Sequence, residues 1–289
     1  MSYQLWVSAV TGRRRRGTTV AELRDIFDTR ITTEVLFEPL KCCLASDLSD
    51  DVAFELRRLD FDVVGVKKEV GQPTFSFVRR ENLKAGTCGE FAEPINVADL
   101  VAISTPLPEL LKKLSNAQFA FVLSGSAIEG IVTRADLQKP PVRILLFSLI
   151  SLLEMHLTYW ISRVYPNESW VSQVSPSRLR KATELRQARR ERKEDISAVE
   201  CLQLCDKAAI VERTQRLFEI FGFDSKASAK VALQTVERVR DILAHSQFDL
   251  KAGTSWQGVI DLCSTVEKTL RRSEEAMERT ENADLVAAD

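Results

Sequence analysis

The chain has 289 residues, and its 40 lysines and arginines nearly balance its 41 aspartates and glutamates, which leaves a formal net charge of −1. This balance excludes a protein that coats nucleic acid through its overall charge. The mixed apolar and charged composition excludes a disordered or collagen-like chain, and the length suffices for about two domains.

The N-terminal segment contains a run of arginines at residues 13–16. These arginines interrupt any apolar stretch after the initiator Met, so the sequence predicts no signal peptide. The longest apolar run, residues 144–153, is too short for the ~20 residues of a membrane span. We therefore expect a cytoplasmic protein that does not span a membrane, with residues 144–153 in a buried helix.

The character of the sequence changes at Lys139-Pro140-Pro141. Before this point, short runs typical of β-strands alternate with helical stretches; the runs are residues 61–66, 74–78, 119–123 and 130–133. After it, almost every stretch has helical periodicity, and proline is compatible with the first turn of a helix. The sequence therefore predicts an α+β domain over residues 1–138 and an all-α domain over residues 139–289.

The α+β half contains an internal repeat. Residues 54–83 and residues 110–137 each read as a helix, a β-hairpin and a second short helix. A repeat that is present only twice is typical of a pseudo-symmetric pair rather than of a solenoid, because each sheet needs the other to cover its apolar face.

The second copy carries a glycine, a hydrophobic residue, any residue, a threonine, two further residues and an aspartate, from Gly130 to Asp136. Together with the repeat, this motif resembles the CBS (cystathionine β-synthase type) domain pair, in which two βαββα units pack sheet to sheet and hold adenosine-containing ligands. The resemblance implies that an adenine nucleotide (AMP, ADP or ATP) binds as a regulatory ligand. It implies contacts from four residues: Gly130, Thr133, Arg134 and Asp136.

The residue types in this motif allow two interpretations. A carboxylate such as Asp136 can accept hydrogen bonds from both ribose hydroxyls, and a hydroxyl at a helix start suits a phosphate. Alternatively, Thr133 caps a helix and Asp136 is the acidic residue three positions later, which needs no ligand. The first copy has Arg79 and Asn82 at the corresponding positions, so we expect fewer than two equivalent nucleotide sites.

The second half divides into five helical stretches, residues 142–164, 178–193, 196–221, 225–246 and 253–280. The first is apolar nearly all round, which predicts a helix buried in a bundle. The second contains more arginine and lysine than glutamate. This excess indicates either a solvated face with mutual ion pairs or a strip that faces RNA.

The fourth stretch ends in charged residues beyond an apolar stripe. At about 100° per residue, a narrow stripe contains the expected core positions, Ala232, Val236, Val239 and Leu243. His245 and Asp241 fall on the opposite side, where the carboxylate could hold the imidazole ring. Arg240 projects about 140° from His245. The two can share a substrate only if the arginine curls round, the helix distorts or a second copy of the chain completes the site.

Arg240, the polar Asp241 and, after three further residues, His245 lie at the end of this late helix. They resemble the motif of the HEPN (higher eukaryotes and prokaryotes nucleotide-binding) ribonucleases. The resemblance implies a metal-independent endoribonuclease whose composite site forms across a homodimer of the helical domain, with Arg240, Asp241 and His245 as its catalytic residues. RNA cleavage through the ribose 2′-OH requires proton transfer and charge stabilisation, which imidazole and guanidinium can supply.

We therefore expect an adenine-nucleotide-regulated endoribonuclease, such as a toxin or stress effector, with RNA as substrate and a homodimer as active form. The alternative is a non-catalytic nucleotide sensor or adaptor whose helical domain dimerises or binds a partner. The chain has only two histidines and six scattered cysteines, so we expect no metal site. The second histidine, His156, lies in an apolar segment and is expected to be buried or at an interface.

Overall fold

The computed structural model describes residues 6–7, 14–15, 18–194, 196–245, 247, 249–251 and 255–286. The chain divides into two compact units. We call Ile26–Val142 the mixed unit, since it contains strands and helices, and Met1–Asp25 together with Arg143–Asp289 the helical unit. Two short strands of the latter, β1 (Trp6–Val7) and β2 (Arg14–Arg15), pair antiparallel. Arg13 and Arg16, the ends of the basic run, lie outside the described residues.

The mixed unit differs at both ends from the domain expected over residues 1–138. It ends at Val142, and residues 18–25 belong to the helical unit, where helix α1 (Val20–Thr29) begins. The Val20 amide donates a hydrogen bond to the Glu274 carboxylate at 2.7 Å, and Arg24 forms an ion pair with Glu267. Both glutamates belong to the C-terminal helix, and such a distant contact leaves no signal in the local sequence pattern.

The mixed unit contains two four-stranded sheets. Its elements are β3 (Glu38–Pro39), β4 (Cys42–Leu44), α2 (Ser49–Leu59), β5 (Val63–Lys67), β6 (Ser76–Arg79), β7 (Glu93–Pro94), β8 (Leu100–Ala102), α3 (Leu107–Asn116), β9 (Phe119–Ser124) and β10 (Ala127–Thr133). The strand orders are β4-β5-β6-β7 and β3-β10-β9-β8. Each copy of the repeat is a parallel strand–helix–strand unit followed by an antiparallel hairpin. The expected second helix of each copy is a short 3₁₀ helix, at residues 80–82 and 134–138.

Two apolar clusters hold the mixed unit together. Val64 and Val66 of β5 pack with Leu56 of α2 on one face of the first sheet. Val63 and Phe77 face the other way and pack against residues of the second sheet, including Phe121. Because successive strand residues point to opposite faces, each strand of the hairpin contributes to both clusters. The two copies thus cover one another, as the repeat predicts.

Within the described residues, six α-helices follow α3, and apart from the first three residues of α4 they belong to the helical unit. They are α4 (Pro140–Val164), α5 (Pro176–Glu191), α6 (Leu204–Arg213), α7 (Gln215–Ile220), α8 (Lys226–Ala244) and α9 (Trp256–Val286). The single helix expected over residues 196–221 is wrong, because this stretch holds a 3₁₀ turn, α6 and α7. Thr214 interrupts it with an extended backbone, and its hydroxyl lies 2.7 Å from the Tyr165 hydroxyl.

By length and composition, α4 could cross a membrane. In the helical unit, however, it contacts other helices through buried polar groups. His156 is 1% exposed, and its Nδ1 lies 2.7 Å from the Ser273 hydroxyl, which also accepts a hydrogen bond from Trp160 Nε1 at 2.8 Å. Burial lowers the pKa of His156 to about 4. The expectation that this histidine is buried is confirmed.

Candidate functional site

Helix α8 presents a buried face that differs in part from the expected one. Its buried residues are Ala229, Leu233, Val236, Val239 and Ile242. Val236 and Val239 agree with the expectation, but Ala232 and Leu243 are only partly buried. The observed face is wider than the expected stripe: at 100° per residue it extends about 60° further on each side, to Leu233 on one side and to Ile242 on the other.

Because the buried face extends to Leu233, Arg240 lies at the edge of that face. Seven residues correspond to almost two full turns, so Arg240 lies about 20° from Leu233 around the helix. Its side chain is 31% exposed, and its Nε atom is buried with no hydrogen-bond partner in the described structure. Its stem is packed, and its guanidinium reaches the surface beside Asp241, with Nη1 3.1 Å from Oδ1.

His245 forms the C-cap of α8. Its backbone amide donates a hydrogen bond to the Asp241 carbonyl at 3.0 Å, and the residue is exposed. Sequence reasoning assigned the Asp241 carboxylate to the imidazole ring, whereas the structure places that carboxylate against Arg240. Arg240 and Asp241 are thus brought together, and His245 stands one turn further along, at the end of the helix.

Two residues beyond His245 are held in the helical unit, Gln247 by hydrogen bonds and Leu250 by burial. The Gln247 amide donates to the Ile242 carbonyl at 3.0 Å, and the Gln247 carbonyl accepts a hydrogen bond from Arg143 Nη2 of α4. Leu250 is fully buried. Sequence reasoning missed Arg143, because about a hundred residues separate it from His245 and no motif connects them.

The basic helix α5 carries several ion pairs. Four of its arginines have carboxylate partners within 4 Å: Arg178 with Asp206, Arg180 with Glu184, Arg186 with Glu168, and Arg189 with Glu194. The structure therefore shows these four arginines in the first of the two expected arrangements, a solvated face with mutual ion pairs.

In the mixed unit, Thr133 and Asp136 form a capping box at the 3₁₀ helix after β10. Asp136 Oδ2 accepts hydrogen bonds from the Thr133 amide at 2.7 Å and from its hydroxyl at 2.9 Å, and the hydroxyl accepts one from the Ala135 amide. Asp136 Oδ1 pairs with Lys139 Nζ at 2.9 Å. The geometry therefore shows the capping arrangement, which needs no ligand. The nucleotide contacts of these residues stay a prediction.

The other two residues of the motif also have structural roles. Arg134 donates hydrogen bonds to the Leu114, Ser115 and Ala117 carbonyls at 2.8–3.0 Å, which satisfies the C-terminal end of α3. Gly130 lies under the Phe37 ring, and a Cβ atom here would come within 2.0 Å of that ring. Only glycine permits this approach between β10 and the segment before β3.

In the first copy of the repeat, different residues occupy the positions of the motif. The Arg79 guanidinium stacks over the Phe77 ring at 5.5 Å and over the Phe119 ring at 4.9 Å. Asn82 donates a hydrogen bond to Glu93 at 2.9 Å. The positions that correspond to Thr133 and Asp136 therefore hold residues with contacts of their own.

A cleft of about 410 Å³ opens elsewhere in the mixed unit. This volume lies within the range of small-molecule sites. Its lining comes from the start of β4, the end of β5, the β5–β6 turn and the start of β10, with Lys67, Thr74 and Glu129 as polar members. Thr133 and Asp136 do not line the cleft, and no sequence motif predicted it.

Comparison with known proteins links only the N-terminal part of the chain to characterised folds. No protein-family model matches the chain, and no curated protein is significantly similar. Solved structures that match are CBS domain proteins. The CBS-pair protein CBSX2 from Arabidopsis thaliana is 18% identical, with a TM-score of 0.35, and the match covers 39% of this chain and 95% of that one.

Two further matches are nucleotide complexes. CBSX2 in complex with AMP is 17% identical, with a TM-score of 0.35, and the match covers 39% of this chain and 97% of that one. The CBS domain of a bacterial CNNM/CorC family Mg²⁺ transporter in complex with ATP is 16% identical, with a TM-score of 0.33 and coverage of 41% and 90%. These scores are too low to carry a functional conclusion, which therefore depends on the residues of this chain.

Proposed function

We propose that the helical unit is a metal-independent endoribonuclease of the HEPN type, in which His245 transfers a proton and Arg240 stabilises negative charge on the phosphate. The observation that carries this proposal is the end of α8. There a guanidinium whose Nε is buried without a partner lies one turn before an exposed imidazole.

The state of Arg240 suits a phosphate-binding role. Buried polar atoms without partners are rare in native proteins, and Arg240 Nε is one of the few such atoms in the described residues. The packed stem restricts the side chain before substrate arrives, so less freedom is lost on binding. A donor fixed where negative charge develops stabilises a transition state more than a donor that must first be ordered.

The position of His245 suits proton transfer. As the exposed C-cap of α8, its imidazole is accessible to a substrate without unfolding of the helix. It would take the proton of the ribose 2′-OH, whose oxygen then attacks the adjacent phosphorus to form a 2′,3′-cyclic phosphate. The bond to the 5′-oxygen of the next nucleotide breaks, and that oxygen leaves as a hydroxyl with a proton from water. Asp241, which pairs with Arg240, would orient the guanidinium.

We propose that the active form is a homodimer through the helical unit. Arg240 and His245 project about 140° apart around α8, so one copy of the chain does not present both groups on one face of the helix. Apolar surface for pairing is available on α4, where Ile144 is 54% exposed and Phe147, one turn later, is 52% exposed. Closed two-fold pairing is the commonest assembly of soluble proteins.

We also propose that the mixed unit binds AMP, ADP or ATP as a regulator of this activity. Support comes from the second copy, where the glycine, threonine and aspartate of the nucleotide motif are all present. A bound ribose would have to share Asp136 with its capping hydrogen bonds, and a phosphate would have to compete for Lys139 Nζ with Asp136, Glu38 and the Leu36 carbonyl.

A second function, that of a non-catalytic sensor or adaptor, is favoured by one specific observation. The ion pairs of α5 and the pairing of Asp241 with Arg240 neutralise much of the positive charge that RNA would contact. In this case the helical unit would dimerise or bind a partner protein and would not cut RNA.

Incubation of the purified chain with total RNA separates the two functions. The endoribonuclease proposal expects fragments from the wild type, with EDTA present and with each nucleotide in turn, and none from His245→Ala. A matched control is Lys230→Ala, an exposed residue earlier on the same helix, which should cut like the wild type. Intact RNA under every nucleotide condition, with a folded protein, would establish the sensor function instead.

A further inference from the structure

The loop after α8 connects His245 to a side chain from the start of α4. Arg143 Nη2 donates a hydrogen bond to the Gln247 carbonyl, two residues beyond His245. The amide of the same residue donates back to Ile242 of α8. Both backbone polar groups of Gln247 are therefore engaged, one by α8 itself and one by α4.

We infer that Arg143 is a positioning residue for His245, an inference that rests on the endoribonuclease proposed above. A C-cap residue has its amide held by the helix, but the chain beyond it is free unless another element holds it. Here Arg143 holds that chain two residues after the cap. Leu250, three residues after Gln247, is fully buried and is a second anchored residue beyond the cap.

The location of Arg143 in α4 supports a specific role. It is the fourth residue of the helix, close to the end where the helix macrodipole is positive, which is an unfavourable place for a cation. Its long side chain reaches a carbonyl oxygen of the α8–α9 loop. A guanidinium is suited to this task because its forked donors hold a carbonyl in a fixed direction and keep their charge at every physiological pH.

The carbonyl that Arg143 contacts is two residues from His245 along the chain. Since misplacement of a catalytic group by about 1 Å can lower a rate a hundred-fold, loss of this hydrogen bond is expected to affect turnover more than substrate binding.

The test compares the full-length wild type with Arg143→Gln, Arg143→Lys and the control Arg180→Gln, which alters an exposed arginine on α5. Hydrogen exchange of the Gln247 amide is measured first. Loss of a charge-assisted hydrogen bond should speed its exchange at least ten-fold in Arg143→Gln, with Arg143→Lys intermediate and Arg180→Gln unchanged.

Cleavage kinetics complete the test. Arg143→Gln should lower kcat about ten-fold or more while KM stays within about two-fold, and Arg143→Lys should recover part of the loss. Unchanged exchange at Gln247 in Arg143→Gln would overturn the inference. If the wild type cuts no RNA, the proposed function fails, while the exchange result still decides whether Arg143 holds Gln247 in place. Urea unfolding of each variant identifies any that lose the whole fold.

Discussion

The two candidate sites differ in how folding uses their polar atoms. In the mixed unit, Gly130, Thr133, Arg134 and Asp136 all have contacts that a folded protein without ligand requires. In the helical unit, Arg240 keeps a buried nitrogen without a partner, and His245 is exposed at a helix end. Motif residues whose contacts are explained by folding alone give weak support for a ligand. Polar groups that folding leaves without a partner give stronger support for one.

The largest expected effect concerns Arg240. Removal of one preorganised donor to a developing negative charge costs about 10²–10³ in rate, so Arg240→Ala should reduce single-turnover RNA cleavage by that factor. Arg240→Lys keeps the charge and much of the packed stem but loses the fork, and it should recover only part of the rate. Equal rates for wild type and Arg240→Ala would show that the unsatisfied guanidinium has no catalytic role.

The next effect concerns Gly130 and the stability of the mixed unit. A Cβ atom at this position would overlap the Phe37 ring, and overpacking of this kind costs about 3 kcal/mol. Urea unfolding of Gly130→Ala measures this loss. Gly71→Ala is the control, because its Cβ meets open space and only the positive φ of 84° is strained. A stable Gly130→Ala protein would show that the motif glycine is not explained by packing.

The buried His156 predicts a pH dependence of stability in the helical unit. Its pKa falls from 6.5 to about 4 on folding because burial disfavours the charged ring. The unfolded chain therefore binds the proton first as pH falls, so the stability present above pH 6.5 is lost as pH falls toward 4. The loss by pH 4.5 is about 2.5 kcal/mol. His156→Gln should flatten this dependence, measured as the difference in urea unfolding between pH 7 and pH 4.5.

Asp136→Ala should have the smallest of these effects on stability. It also tests most sharply whether the carboxylate binds a ligand. Loss of the capping box in Asp136→Ala should cost about 1–2 kcal/mol. If the carboxylate also binds ribose, calorimetry should show AMP, ADP or ATP affinity reduced about ten-fold or more. Reduced stability with unchanged nucleotide affinity would leave Asp136 with a capping role alone, and no binding to the wild type would remove the nucleotide site.

Local pattern predicted a helix, a hairpin and a short second helix in each copy and helices throughout the second half, but it missed β4 and β8, the three-residue strands before α2 and α3. The β-hairpins of the two copies are marked by alternating apolar residues, and the expected fourth helix, residues 225–246, corresponds closely to α8 at Lys226–Ala244. These features depend on residues close in sequence, whose periodicity directly reflects strand or helix geometry. The break at Thr214 was missed, because it depends on a hydrogen bond to Tyr165 from a distant part of the chain.

The details of the candidate sites were harder to predict from the sequence. The helical period located His245 at the end of α8, but it placed Ala232 rather than Leu233 on the buried face, and Arg240 lies about 20° from Leu233 around the helix. The contact of Arg143 with Gln247 joins residues in different helices, and the docking of Val20 on Glu274 does the same. Such contacts depend on tertiary packing, which a single sequence does not display.

The proposed function requires that His245 and Arg240 cut RNA through the ribose 2′-OH. Its most direct test is cleavage in EDTA of a defined RNA oligonucleotide and of the same oligonucleotide with a single 2′-deoxyribose at the mapped cut, by wild type and by His245→Ala. The account predicts that the wild type cuts only the RNA with an intact 2′-OH, and that His245→Ala is slower by about 10²–10⁴. Equal cutting of both oligonucleotides, or a His245→Ala variant as fast as the wild type, would contradict it.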